Sequence, residues 1–227
     1  MSEPLTLDLV DRDGAIREAY EEGMSRSALF RRAAVGGGTF LAGGLLVGGL
    51  PRVALGKPSA AQDAKILNFA LLLEYLESAF YADAVDKGAL ASDARLLGFA
   101  TTVRDHELAH VRFLQQALGS AAIAMPAFDF KGTTEEPGAF AATALVLEDT
   151  GVAAYNGQGP RLRPRTLAAA ASIVSVEARH AAWIRRIVAG PDYAEGRKSY
   201  PAPAALDKPQ TKAQIEAAVG QTGFIQG

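Results

Sequence analysis

Between Asp63 and Gly190 the sequence holds four long stretches with no internal proline, apolar residues at helical spacing and a glycine at each end. This punctuation constrains the fold more than any other feature. The first stretch runs from Asp63 to a stop at Gly88. Ser92-Asp93 caps a second, which ends at Leu118 before Gly119. Thr133-Thr134, followed by Glu135-Glu136-Pro137, is a start signature for a third, which reaches Asn156-Gly157. Pro164 opens the fourth, which runs to Ala189 before Gly190-Pro191. At roughly 20–26 residues each, or about 30–38 Å, the helices are long and matched. The expectation is an all-α four-helix bundle over residues 62–190.

The connections predict its topology. About five residues join helices one and two and about seven join three and four, so each pair forms an antiparallel hairpin. The link from Gly119 to Gly132, about fourteen residues, could reach roughly 46 Å if extended. A long crossover between two hairpins follows from that reach; a compact loop would give simple up-and-down topology instead. From 191 to 227 the chain is Pro-rich and mostly irregular, with a short helix expected at Thr211–Val219, packed along the bundle or at a subunit contact.

Charges on the core faces of such helices need an explanation. Glu74 shares a stripe with Phe69, Ala70, Leu71, Ser78 and Tyr81. Glu107 lies with Val103, His110, Val111 and Leu114, and Glu148 with Ala144, Leu145, Gly151, Val152 and Tyr155. Glu177 lies with Ile173, Val174, His180, Ala181 and Ile184. Each helix thus carries one carboxylate in an apolar stripe, and two of the three histidines follow a glutamate by three residues. Glu-x-x-His puts both side chains on one helix face, where they can bind one ion or bracket two. Four carboxylates buried without cations would be prohibitively costly. In the first hairpin Glu74 and Glu107 both fall roughly 20 Å from the turn; in the second, Glu148 and Glu177 match less closely. The order Glu, Tyr, Glu-x-x-His occurs twice, which predicts a pseudo-twofold site for two metal ions.

Other residues have competing readings. Glu77, one turn beyond Glu74, is an alternative ligand. His106 has no Glu three residues earlier and reads as solvated or hydrogen-bonded. Tyr81 and Tyr155 read either as hydrogen-bond donors to the ligands or as core packing, and Trp183 as core. The chain has no Cys, which excludes disulfides, thiolate zinc sites, Cys-ligated iron–sulfur clusters and a cysteine nucleophile. Carboxylates with imidazoles suit iron or manganese, with zinc as a substitute. A net charge of −2 gives no reason to expect a nucleic-acid partner.

Leu73-Glu74-Tyr75-Leu76-Glu77, Glu107-Leu108-Ala109-His110, Glu148 and Glu177-Ala178-Arg179-His180 together resemble the ferritin-like di-metal carboxylate superfamily. The resemblance is narrower to exported bacterial ferritin-like proteins related to desiccation-associated proteins. It implies two metal ions per chain, with Glu107 and Glu177 bridging, Glu74 and Glu148 terminal, and His110 and His180 one on each ion. The expected activity is oxidation of Fe(II) by O2 or peroxide. The alternatives are a di-manganese enzyme that disproportionates peroxide, or a structural, stress-protective protein whose metal only stabilises the bundle. A homo-oligomer is compatible with the family.

Residues 1–61 read as a leader. Paired arginines, Arg31-Arg32, precede an uncharged segment, Ala33 to Pro51, and small-residue patterns follow at Ala54-Leu55-Gly56 and Ser59-Ala60-Ala61. This resembles a twin-arginine export signal and predicts contact with the export machinery and a location outside the cytoplasm. An uncleaved membrane anchor is the alternative.

Overall fold

The computed structural model describes residues 58–190 and 201–226; of the leader expected over residues 1–61, residues 1–57 lie outside them. Helices α1 (Ala60–Asp86), α2 (Ala94–Leu118), α3 (Pro137–Gln158) and α4 (Pro164–Ala189) form the bundle, and α5 (Lys212–Thr222) lies in the tail. Among the described residues no helix is long and apolar enough to cross a membrane.

The helix ends follow local chemistry. Ser59 Oγ accepts from Gln62 N at 3.2 Å to start α1, and Asp93 accepts from the amides of Arg95 and Leu96 to start α2. Helix α3 begins at Pro137, later than the Thr133-Thr134 signature predicts. Thr134 is fully buried and engaged elsewhere: its hydroxyl donates to Asp83 at 2.5 Å and accepts from Lys87 Nζ at 3.1 Å. Helix α3 continues to Gln158, past Gly157, and a turn of 3₁₀ helix follows at Gly159–Arg161.

The segment between α2 and α3 is a true crossover. Near its start Asn68 on α1 donates to Ala121 O at 2.9 Å and accepts from Ile123 N at 2.9 Å. Near its end Thr134 and Glu135 meet Asp83 and Lys87, at the other end of α1. Between Asn68 and Asp83 the helix rises about 22 Å, which the crossover spans. Helices α1 and α3 therefore run antiparallel.

The tail fastens this crossover. Strand β1 (Ala127–Phe128) pairs antiparallel with β2 (Ile225–Gln226), with Phe128 opposite Ile225. Phe130 packs edge-on to Phe80 and Phe224, and Ile215 of α5 is fully buried in the same cluster with Phe99 and Phe140. Gln210 N donates to Ala153 O at 3.1 Å, and a Cβ on Gly157 would lie 1.7 Å from Gln210 O, so only glycine allows this approach. Trp183, expected in the core, is 39% exposed and covers Phe99 with one edge only. It lies beside the stripe of His180, Ala181 and Ile184 rather than on it.

The buried Asp63 ties the starts of α1 and α4 together. Its carboxylate accepts from Arg163 N at 3.2 Å, from Arg163 Nε at 2.8 Å and from the Thr166 hydroxyl. Burial pushes this carboxyl up, but the hydrogen bonds from Thr166 and Arg163 outweigh it and hold the group below its usual range. Its contribution is complete above the unfolded carboxyl value of about 4 and is lost as pH falls through the lower folded value. Asp63→Asn should cost about 1–3 kcal/mol at neutral pH, and urea unfolding should show that difference shrinking below about pH 4.

Candidate metal centre

Each bundle helix carries its acid to the same depth. Glu74, Glu107, Glu148 and Glu177 are all fully buried, and His110 and His180 lie among them. The looser level match expected in the second hairpin closes because α3 runs on to Gln158 and the 3₁₀ turn lengthens the connection. Two groups result. Glu74, Glu107, His110 and Glu177 offer ligand atoms all within 4.8 Å of one another, as do Glu107, Glu148, Glu177 and His180. Glu107 and Glu177 belong to both.

The tyrosines cross between the halves. The Tyr81 hydroxyl, on α1, donates to Glu148 Oε1 on α3. The Tyr155 hydroxyl, on α3, donates to Glu74 Oε1 on α1 at 2.5 Å. Both are thus hydrogen-bond donors to candidate ligands. Burial first, and then the neighbouring carboxylates, push both phenols well above their usual range, which keeps them protonated.

His110 Nδ1 is 3.1 Å from each of Glu74 Oε2, Glu107 Oε2 and Glu177 Oε1. Burial opposes its charge, but the three close carboxylates outweigh burial and push it up to about 12. Glu74 moves down: burial raises it, while His110, Glu107 and Tyr155 lower it further through hydrogen bonds. Glu107 and Glu177 are pushed well up, by burial first and by their like-charged neighbours next. Burying so many acids together disfavours their shared negative charge and favours protons or cations among them.

The orphaned atoms fit a cation. Glu107 Oε1, Glu148 Oε2, both oxygens of Glu177 and His180 Nδ1 are buried with no hydrogen-bond partner among the described residues. His180 Nδ1 faces Glu107 Oε1 at 3.2 Å and Glu148 Oε2 at 3.3 Å without hydrogen-bond alignment. A divalent ion among these atoms would satisfy all of them with oxygen and imidazole donors.

Glu77 also reaches the site, beside Glu74 rather than in its place. It is buried, outside both four-ligand groups, and its carboxylate lies opposite Glu177. A Cβ on Gly151 would stand 3.2 Å from Glu177 Oε2 and 3.3 Å from Glu77 Oε1, so this glycine makes room for two carboxylates. Burial, and then Glu177 and the other acids, push Glu77 well up. His106 Nδ1 lies 2.8 Å from His180 Nε2, in keeping with its expected hydrogen-bonded role.

At saturating Zn(II), Glu107→Ala or Glu177→Ala should lower bound metal more than Glu77→Ala or His106→Ala, as read by elemental analysis. Loss of one acid also relieves repulsion in the metal-free protein, so its metal-free melting temperature should hold or rise. Equal metal loss from Glu77→Ala and Glu107→Ala would place Glu77 among the ligands.

Among curated proteins none matches the chain. The ferritin-like domain family does match it, over residues 62–190. That span is most of the chain and contains both four-ligand groups. The buried Glu and His clusters are compatible with a di-metal carboxylate site, and the chain belongs to the ferritin-like domain family.

Proposed function

We propose that this chain is a di-metal carboxylate protein that uses iron and oxidises Fe(II) with O2 or peroxide. One observation carries the reading: Glu107 and Glu177 each belong to both four-ligand groups, so two ions would share them. Glu74 with His110, and Glu148 with His180, would complete one position each. Two adjacent iron ions supply a two-electron change, which suits O2 or peroxide as the oxidant.

The chain's own residues have definite tasks in this reading. Tyr81 and Tyr155 hold one oxygen of Glu148 and one of Glu74; the other Glu148 oxygen has no hydrogen-bond partner among the described residues, and the other Glu74 oxygen faces His110 Nδ1. Ala70, Leu71, Val111, Leu114 and Ile173 close one side of the site and keep bulk water out. Four carboxylates favour the more highly charged ferric product.

Metal-free protein given two Fe(II) per chain and then O2 should oxidise iron faster than its Glu107→Ala/Glu177→Ala double variant. Uptake should break near two metals per chain. Oxidation no faster than in the double variant would sink the oxidase reading. Rapid peroxide disproportionation by the manganese-loaded protein would favour the di-manganese alternative. Redox inactivity with a large metal-dependent rise in melting temperature would favour a structural, stress-protective role.

The relation to exported, desiccation-associated proteins belongs to the same proposal, and its support is the order Arg31-Arg32, uncharged segment, small residues. Replacing Arg31 and Arg32 by Lys should leave precursor in the cytoplasm on cell fractionation. Normal export of that variant would defeat the twin-arginine assignment, and an intact chain in the membrane fraction would favour the anchor.

A further inference from the structure

The two histidines of the centre are backed differently. His180 turns Nδ1 toward Glu107 and Glu148 and its other nitrogen, Nε2, toward His106 Nδ1 at 2.8 Å. The two rings stack, with centroids 5.1 Å apart and planes 16° from parallel. His106 precedes Glu107 on α2 and is exposed on its outer side. His110 makes all its polar contacts through Nδ1, and no hydrogen bond to its Nε2 forms among the described residues. In the repeated Glu-x-x-His segments the counterpart of His106 is Val176, the residue before Glu177, and a hydrocarbon there cannot accept a proton.

Imidazole binds a cation through a bare nitrogen, so His180 can use Nδ1 only when its proton sits on Nε2. That N–H needs an acceptor, and His106 Nδ1 is in place to be one. His106 must then carry its own proton on Nε2. The contact selects the His180 tautomer that offers Nδ1 to metal and fixes the ring plane as well. His110 has no such partner, and its Nδ1 is shared among three carboxylates.

We propose that His106 is a positioning residue for His180. The Glu107, Glu148, Glu177 and His180 position is thereby the tighter of the two and fills first, and binding is sequential in spite of the internal repeat. This rests on the two-metal reading above.

The test is calorimetric titration of the full chain with Zn(II), alongside ¹⁵N NMR of the histidine rings in the metal-free protein. Wild type should bind two ions in separable steps and show His180 as the Nε2–H tautomer. His106→Ala should weaken the tighter step about 10–100-fold, leave the weaker step in place and mix the His180 tautomers. His106→Asn, whose amide oxygen can stand where Nδ1 stood, should restore both readouts. Unchanged steps in His106→Ala, equal weakening of both, or no rescue by His106→Asn would each overturn the proposal. Two ions bound by wild type in one indistinguishable step would overturn the ordering while leaving the two-metal reading intact. Failure of wild type to bind Zn(II) would refute the two-metal reading, and the ordering with it.

Discussion

Mutual repulsion among five buried carboxylates governs this bundle. Glu74, Glu77, Glu107, Glu148 and Glu177 occupy one layer, with two histidines as the basic groups among them. An apolar cluster around Ala70, Leu71, Tyr75, Val111, Leu114 and Ile173 lies to one side. The larger cluster around Phe80, Phe99 and Phe140 lies to the other. Water cannot easily screen the layer, so protons or metal ions must neutralise it. Replacing its members by hydrocarbon would remove the repulsion and make the bundle easier to fold. That the layer is polar, with several atoms unpartnered, is a cost that a cation-binding role explains.

The same layer holds the hairpins together. Packing is densest within each hairpin, α1 on α2 and α3 on α4; between the hairpins specific polar ties cross the layer. His110 on α2 meets Glu177 on α4, and His180 on α4 meets Glu107 on α2. Tyr81 and Tyr155 link α1 to α3 in both directions. These two bonds pair Glu74 with Tyr155 and Tyr81 with Glu148, which is possible only when the helices are antiparallel. The crossover supplies that direction, and the β1–β2 pair and Ile215 hold the crossover in place.

Much of this was legible in the sequence because it depends on local rules. Glycine and proline mark helix ends wherever they stand, so α2 and α4 were readable almost to the residue. Charges in apolar stripes named the six site residues that the fold brings together. What depends on contacts between distant segments was not legible. Thr133-Thr134 looked like a cap, but Thr134 is drawn away by Asp83 and Lys87, 51 and 47 residues earlier in the chain. Trp183 looked like core because of its size, yet its place at the stripe's edge leaves much of it in solvent. The reciprocal exchange of tyrosines had a signal in their matched spacing from Glu74 and Glu148, but spacing alone does not say which acid each reaches. The β1–β2 pair had none, since two-residue strands carry no periodicity.

The internal repeat is informative where it fails. Glu74 corresponds to Glu148 and Tyr81 to Tyr155; at the same offset, the counterpart of Glu77 is Gly151. These two positions meet in the structure, with the Glu77 carboxylate in the space that a side chain on Gly151 would occupy. Two glutamates there would place like charges against each other and against Glu177 in a site with no room for either, while two glycines would leave a void. One carboxylate opposite one glycine fills the space once. The departure from twofold symmetry at Glu77 and Gly151 is therefore a packing requirement of the symmetric part. His106 and Val176 depart from it in a second, independent place. A site with repeated halves thus has two chemically different ends, while its six candidate ligands keep the repeat.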